Sequence, residues 1–111
     1  MNQMMMQAMQ ALQEAQKRMA EVQAKLKTMS VTIEGGNGLV KATASGEGML
    51  TKLEISPEGI NSEEKDLLED LVLTTVNRAI EAATKMREHE MQSATAGLIP
   101  NIPGLNFPFG M

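Results

Sequence analysis

Cysteine, tryptophan and tyrosine are absent from this 111-residue chain, and its two phenylalanines, Phe107 and Phe109, sit together near the C-terminus. The lack of cysteine excludes disulfides, thiolate metal sites and a cysteine nucleophile, a usage that fits the cytosol. Without aromatics the core has to be built from Leu, Ile, Val, Met and Ala, which bury less area per residue. A compact monomer of that composition is marginal, and burial between two copies is the usual remedy. No apolar run approaches the length of a membrane span, and no positive segment precedes an apolar stretch as in a signal peptide. The expectation is a cytoplasmic protein with no membrane partner. Basic charge is also scarce. A net charge of −4 predicts solubility and argues against a surface coated for nucleic acid. The shortage is uneven, however: residues 1–28 carry Lys17, Arg18, Lys25 and Lys27 against only Glu14 and Glu21.

That same segment holds the strongest pattern in the chain. Met1, Met5, Ala8, Leu12, Ala15, Met19, Val22, Leu26 and Met29 follow alternating four- and three-residue steps, the a/d seam of a helix lying along another helix. Rich in Gln, Met, Ala, Lys and Glu and free of Gly and Pro, residues 2–28 read as one helix roughly 40 Å long. The short strands that follow could cover only part of it, so the seam predicts an obligate oligomer.

Alternation in Val31-Thr32-Ile33-Glu34 marks a half-buried strand, and Gly35-Gly36-Asn37-Gly38 a turn tolerant of positive φ. Residues 39–45 form a second strand with Val40, Ala42 and Ala44 inward, ending at Gly46-Glu47-Gly48. Residues 49–56 form a third, with Met49, Thr51, Leu53 and Ile55 sharing one face and Lys52 and Glu54 on the other. After Pro57, Asn61 or Ser62 can cap a second long helix, and Glu63, Glu64 and Asp66 suit the positive end of its dipole. Its core stripe is Leu68, Val72, Val76, Ala79, Ala83 and Met86, widened by Leu67, Leu71, Leu73 and Ile80, and it should run to about residue 94. The fold class is therefore α+β: long helix, three-stranded antiparallel meander, long helix. One domain spans residues 1–96. Residues 97–111, with three prolines and no charge, form a tail that either docks on a partner or is disordered.

Several segments together resemble the YbaB/EbfC family of bacterial nucleoid-associated proteins. They are Glu34 through Val40, Gly46, Leu53-Glu54-Ile55-Ser56-Pro57, and Leu68-Glu69-Asp70-Leu71-Val72 with Asn77 and Ala79. The Gln/Met/Lys-rich opening helix and Pro103-Gly104-Leu105 are similar to that family too. The resemblance implies an α-β-β-β-α fold, a tweezer-like homodimer with projecting helices, and binding of double-stranded DNA with broad or weak sequence preference. It also implies that helix cations make the contact, here Lys17, Arg18, Lys25, Lys27, Arg78, Lys85 and Arg87.

On the first helix, Arg18 and Lys25 lie one repeat apart with Lys17 beside them, and Glu14 and Glu21 are expected on the opposite flank. A row of cations on a protruding rod suits duplex phosphates. The plainer account is two exposed pairs, Glu14–Arg18 and Glu21–Lys25, worth about 0.2–0.5 kcal/mol each. With no Tyr or Trp to stack on unpaired bases, duplex backbone contact is favoured over single-strand readout. Candidate dimer contacts are Met5, Leu12, Met19, Val22 and Leu26 from the seam, with Leu73, Asn77 and Ile80 from the second helix. A copper site at Met4-Met5-Met6 with Met9 is set aside, because no His or Cys joins it, and no metal or cofactor is expected. His89 lies between Glu88 and Glu90 on a polar helix end, and the acidic residues from Glu58 to Asp70 have no nucleophile beside them. The glycine turn lacks the lysine and following helix of a phosphate loop. The sequence therefore predicts no enzyme. It predicts a nucleoid-associated DNA-binding homodimer or, as the alternative, a dimeric adaptor that engages a protein partner through its Met-rich helix and tail.

Overall fold

The computed structural model describes residues 2–60 and 62–96. Helix α1 spans Gln3–Leu26, strands β1, β2 and β3 span Ser30–Gly35, Val40–Ser45 and Leu50–Ile55, and helix α2 spans Lys65–Thr95. Two 3₁₀ turns, Pro57–Gly59 and Ser62–Glu64, join sheet to α2. The α-β-β-β-α order agrees with the sequence reading. Its Cα radius of gyration is 20.4 Å, against about 13 Å for a compact chain of this length, so the molecule is elongated.

The Asn2 side chain caps α1, accepting from the Met5 amide at 3.0 Å. The helix stops three residues before the seam does. Both the backbone amide and the hydroxyl of Thr28 donate to the Lys25 carbonyl, tightening the last turn and turning Met29 out of the helix. At the start of α2, Glu64 holds the N-cap position and its side chain makes no capping bond. Asn61 lies outside the described residues, as do Met1 and the tail from residue 97.

The sheet is an antiparallel meander with β2 in the centre. Its hairpin at residues 36–38 needs left-handed backbone at three successive positions, and Gly36, Asn37 and Gly38 supply it at φ 61°, 57° and 87°. One expectation fails in β3. Thr43 pairs with Lys52 but Ala44 pairs with Leu50, so Thr51 is the extra residue of a β-bulge. The bulge brings Leu50, not Met49 or Thr51, onto the face shared by Leu53 and Ile55.

Helix α2 packs on β1 and β2 and barely touches β3. The contact is made of small side chains: Ala42 and Ala44 of β2 meet Ala79 and Ala83 of α2, flanked by Val31, Ile33 and Val76. Thr75, absent from the predicted stripe, is fully buried among them, its hydroxyl donating to the Leu71 carbonyl at 2.7 Å. Gly35 of β1 stands directly under it, with no room for a Cβ beside the Thr75 hydroxyl. Gly35→Ala is therefore expected to destabilise the fold by about 1–3 kcal/mol through overpacking. That loss corresponds to a thermal midpoint lower by roughly 5–15 °C. Adding Thr75→Ala should recover part of the loss, and circular dichroism melts of the two variants check both.

Candidate nucleic-acid interface

Residues 3–14 of α1 are exposed throughout, so the first half of the helix projects from the body. Only its end is anchored. Val22 and Leu26 are 8% and 4% exposed, buried by their own chain, and so are withdrawn from the surface assigned to a second copy. The Leu26 carbonyl lies against Gly46 in the β2–β3 turn so closely that a Cβ there would collide with it. Gly46 also donates its amide to the Met29 carbonyl at 2.9 Å.

The predicted cations fall into four separate places. Arg18 and Lys25 line a cleft between α1 and the end of α2, together with Glu21, Val22, Glu90 and Ala94. Glu14 and Glu21 do not occupy the opposite flank. At ~100° per residue, Glu14, Arg18, Glu21 and Lys25 share one arc of the helix. The Glu14–Arg18 pair forms at 3.4 Å, but Lys25 reaches across to Glu90 at 2.8 Å in place of Glu21. With two carboxylates among its cations, the cleft has no net positive charge. Lys17 of α1 and Lys27, its C-cap, are exposed and, among the described residues, carry no ion pair.

On α2, Arg78 and Lys85 are one heptad apart on one flank, both exposed, with Lys85 paired to Glu81 at 3.5 Å. Arg87 is on the other flank, its guanidinium beside Gly48 in the β2–β3 turn. Leu73 and Ile80 precede Arg87 at heptad spacing, so they stand on the β3 side of α2, and both are exposed. There they border the uncovered inner face of β3, where Leu50 and Leu53 are 38% and 42% exposed. The result is a continuous apolar trough between α2 and the last strand. The sequence reading did not single out Leu50 and Leu53 as exposed apolar side chains. Their alternation signalled burial, but only the packing of α2 shows that no element among the described residues covers them.

The opposite face of the sheet is polar. Thr32 and Thr43 share a hydrogen bond at 2.8 Å, Lys41 pairs with Glu34 at 3.4 Å, and Lys52 with Glu54 at 2.7 Å. The hydrogen bond and charge of the Lys52 ammonium hold the Glu54 carboxyl below its usual range, and Glu54 raises Lys52 in return. A carboxyl depressed in the folded state contributes stability above its unfolded pKa and loses it as pH falls through the folded value. A cation raised in the folded state contributes below its unfolded pKa and loses it as pH rises through the folded value. Lys52→Ala should move the Glu54 titration, followed by NMR, upward toward an ordinary carboxylate. Because the pair is fully exposed, stability should hardly change.

Other candidates resolve simply. Gly35 to Gly38 joins two strands, His89 is exposed on α2, and Met4, Met5, Met6 and Met9 are exposed on the projecting helix. Among the described residues no group of three or more His, Cys, Asp or Glu could hold a metal, and no helix is long and apolar enough to cross a membrane.

A three-stranded meander backed by one long helix, with a second helix anchored at one end and carrying unpaired cations, defines a small α+β protein that presents charged rods. Comparison with known proteins makes the assignment specific. The chain belongs to the YbaB/EbfC DNA-binding family, whose profile matches residues 1–98. It is 38% identical over 97 residues to a nucleoid-associated protein of Anaeromyxobacter dehalogenans, covering 86% of this chain and 94% of that one. It is 41% identical over 106 residues to a nucleoid-associated protein of Caldanaerobacter subterraneus, covering 94% and 88%. Among solved structures, an uncharacterized protein from Helicobacter pylori shares the fold, with a TM-score of 0.65 at 21% identity over 80% of this chain and 91% of that one.

Proposed function

We propose that this protein is a nucleoid-associated protein of the bacterial cytoplasm that binds duplex DNA as a homodimer through backbone contacts, with broad sequence preference. Membership of the DNA-binding family carries the reading. Exposed, unpaired Lys17 on α1 and Lys27 just beyond its anchored end suit phosphate contact, and no aromatic in the described residues offers a base-stacking platform. The second copy covers the trough formed by Leu50, Leu53, Leu73 and Ile80, with Asn77 at its margin. The two-fold axis then sets two pairs of cation-bearing rods on one particle, a geometry suited to gripping or bridging duplexes.

Fluorescence anisotropy with a mixed-sequence duplex at two salt concentrations tests the reading. Binding that is similar across sequences and weakens steeply with salt is expected. No binding at low ionic strength would overturn it.

A further inference from the structure

With cysteine, tryptophan and tyrosine missing, thioethers are the side chains of this protein most open to oxygen-atom transfer. Five of the eleven methionines fall within the first nine residues. On α1, Met4 is 78% exposed, Met5 59%, and Met6 and Met9 52% each. Helix packing does not account for them. The a/d seam uses only Met5, while Met4, Met6 and Met9 lie off it. At ~100° per residue the four cover more than half of the helix circumference. Nor does the body rest on them, because its core is Ala42, Ala44, Ala79 and Ala83, and α1 is anchored at Val22 and Leu26. Met19, Met29 and Met86, by contrast, are half-buried. Met49, strongly exposed, stands alone just ahead of β3.

We propose that the first turns of α1 are an oxidant-consuming modification site, where hydroperoxides convert Met4, Met5, Met6 and Met9 reversibly to sulfoxides. With hydrogen peroxide, a thioether lone pair attacks one peroxide oxygen. The S–O bond forms as the O–O bond breaks, and sulfur loses two electrons. The proton of the transferred hydroxyl passes to the departing oxygen, which leaves as water. Sulfoxidation turns an apolar side chain into a polar one, which disrupts a packed core. On an arm that water already bathes it displaces no packing partner, so all four thioethers can be oxidised with the body still folded. The same exposure opens the sulfoxides to thiol-dependent methionine sulfoxide reductases, one enzyme for each epimer. Leucine matches methionine in helix propensity, so forming the helix does not require sulfur at these positions. This inference does not depend on the DNA reading.

The test treats full-length protein with millimolar hydrogen peroxide, samples it over time and maps each methionine by peptide mass. Met4, Met5, Met6 and Met9 should each gain one oxygen several-fold faster than Met19, Met29 and Met86. Met49, exposed but alone, is the reference for full access. With the arm oxidised, the circular dichroism melt of the body should keep its midpoint. Incubating that folded product with both sulfoxide reductases and dithiothreitol should return the arm to its starting mass. A variant carrying Met4→Leu, Met5→Leu, Met6→Leu and Met9→Leu should keep its helix content and lose the fast oxygen uptake at these positions. Arm methionines that oxidise no faster than Met19, Met29 and Met86 would show the arm to be covered in solution and would overturn the proposal. So would a melt that falls in step with arm oxidation, or sulfoxides that the reductases remove only after denaturation.

Discussion

Leu53→Glu is expected to leave folded monomers in place of the proposed homodimer. In a two-fold interface each substitution acts twice, and each glutamate would be buried without a partner in the trough between β3 and α2. An unpaired buried charge costs several kcal/mol. Even about 2 kcal/mol per copy raises the dissociation constant by roughly a thousandfold. The monomer should keep its secondary structure, because Leu53 is 42% exposed in the single chain and supports little of the Ala42–Ala79 core. Ile80→Asp on the facing flank of α2 should have the same effect, whereas Met5→Glu on the projecting arm should leave the assembly intact. Sedimentation equilibrium at micromolar concentration, with far-ultraviolet circular dichroism as the control for folding, checks all three. A wild-type chain that sediments as a monomer, or a Leu53→Glu variant that stays dimeric, removes the trough as the interface.

The second large effect concerns DNA. Lys17→Ala with Lys27→Ala removes two free cations from each chain, and hence four from the proposed dimer. Each lost phosphate contact lowers the slope of log affinity against log salt by about 0.9. The double variant should therefore bind duplex at least tenfold more weakly at low salt, with the slope reduced by roughly two to four. Lys25→Ala should cost much less, because Glu90 already neutralises that ammonium at 2.8 Å. Glu90→Gln should do the opposite and strengthen binding, since it releases Lys25 and removes a carboxylate from the cleft. Anisotropy titrations over a salt series distinguish these outcomes. If Lys25→Ala weakens binding more than the Lys17 and Lys27 pair, the cleft is the contact surface and the outer rod is not.

Features whose cause is local in sequence were the ones legible there. Heptad steps announced α1, alternation announced the strands, and the Gly-Asn-Gly run announced a turn that uses positive φ. Where two distant elements meet, pattern was silent. Lys25 chooses Glu90, 65 positions away, over Glu21 on its own helix, and no periodicity encodes the register of α1 against α2. Thr75 was passed over because a hydroxyl interrupts an apolar stripe, yet its bond to the Leu71 carbonyl satisfies it within the helix and lets it be buried. The bulge at Thr51 shifted β3 by one residue, which exchanged Met49 for Leu50 on the inner face. The candidate cations were nameable from type and position. Their dispersal to four places follows from helix phase and packing, which side-chain type does not specify.

The anchoring of α1 at one end has a mechanical consequence. A rod of 24 residues is about 36 Å long, and its base rests on a glycine that leaves no slack against the Leu26 carbonyl. A tilt of about 10° at that base swings the far tip by roughly 6 Å, about the width of a minor groove. In the proposed dimer the span between the two tips is thus governed from a hairpin that touches neither of them, so mutation at Gly46 can reset that gauge without altering any cation of the sequence.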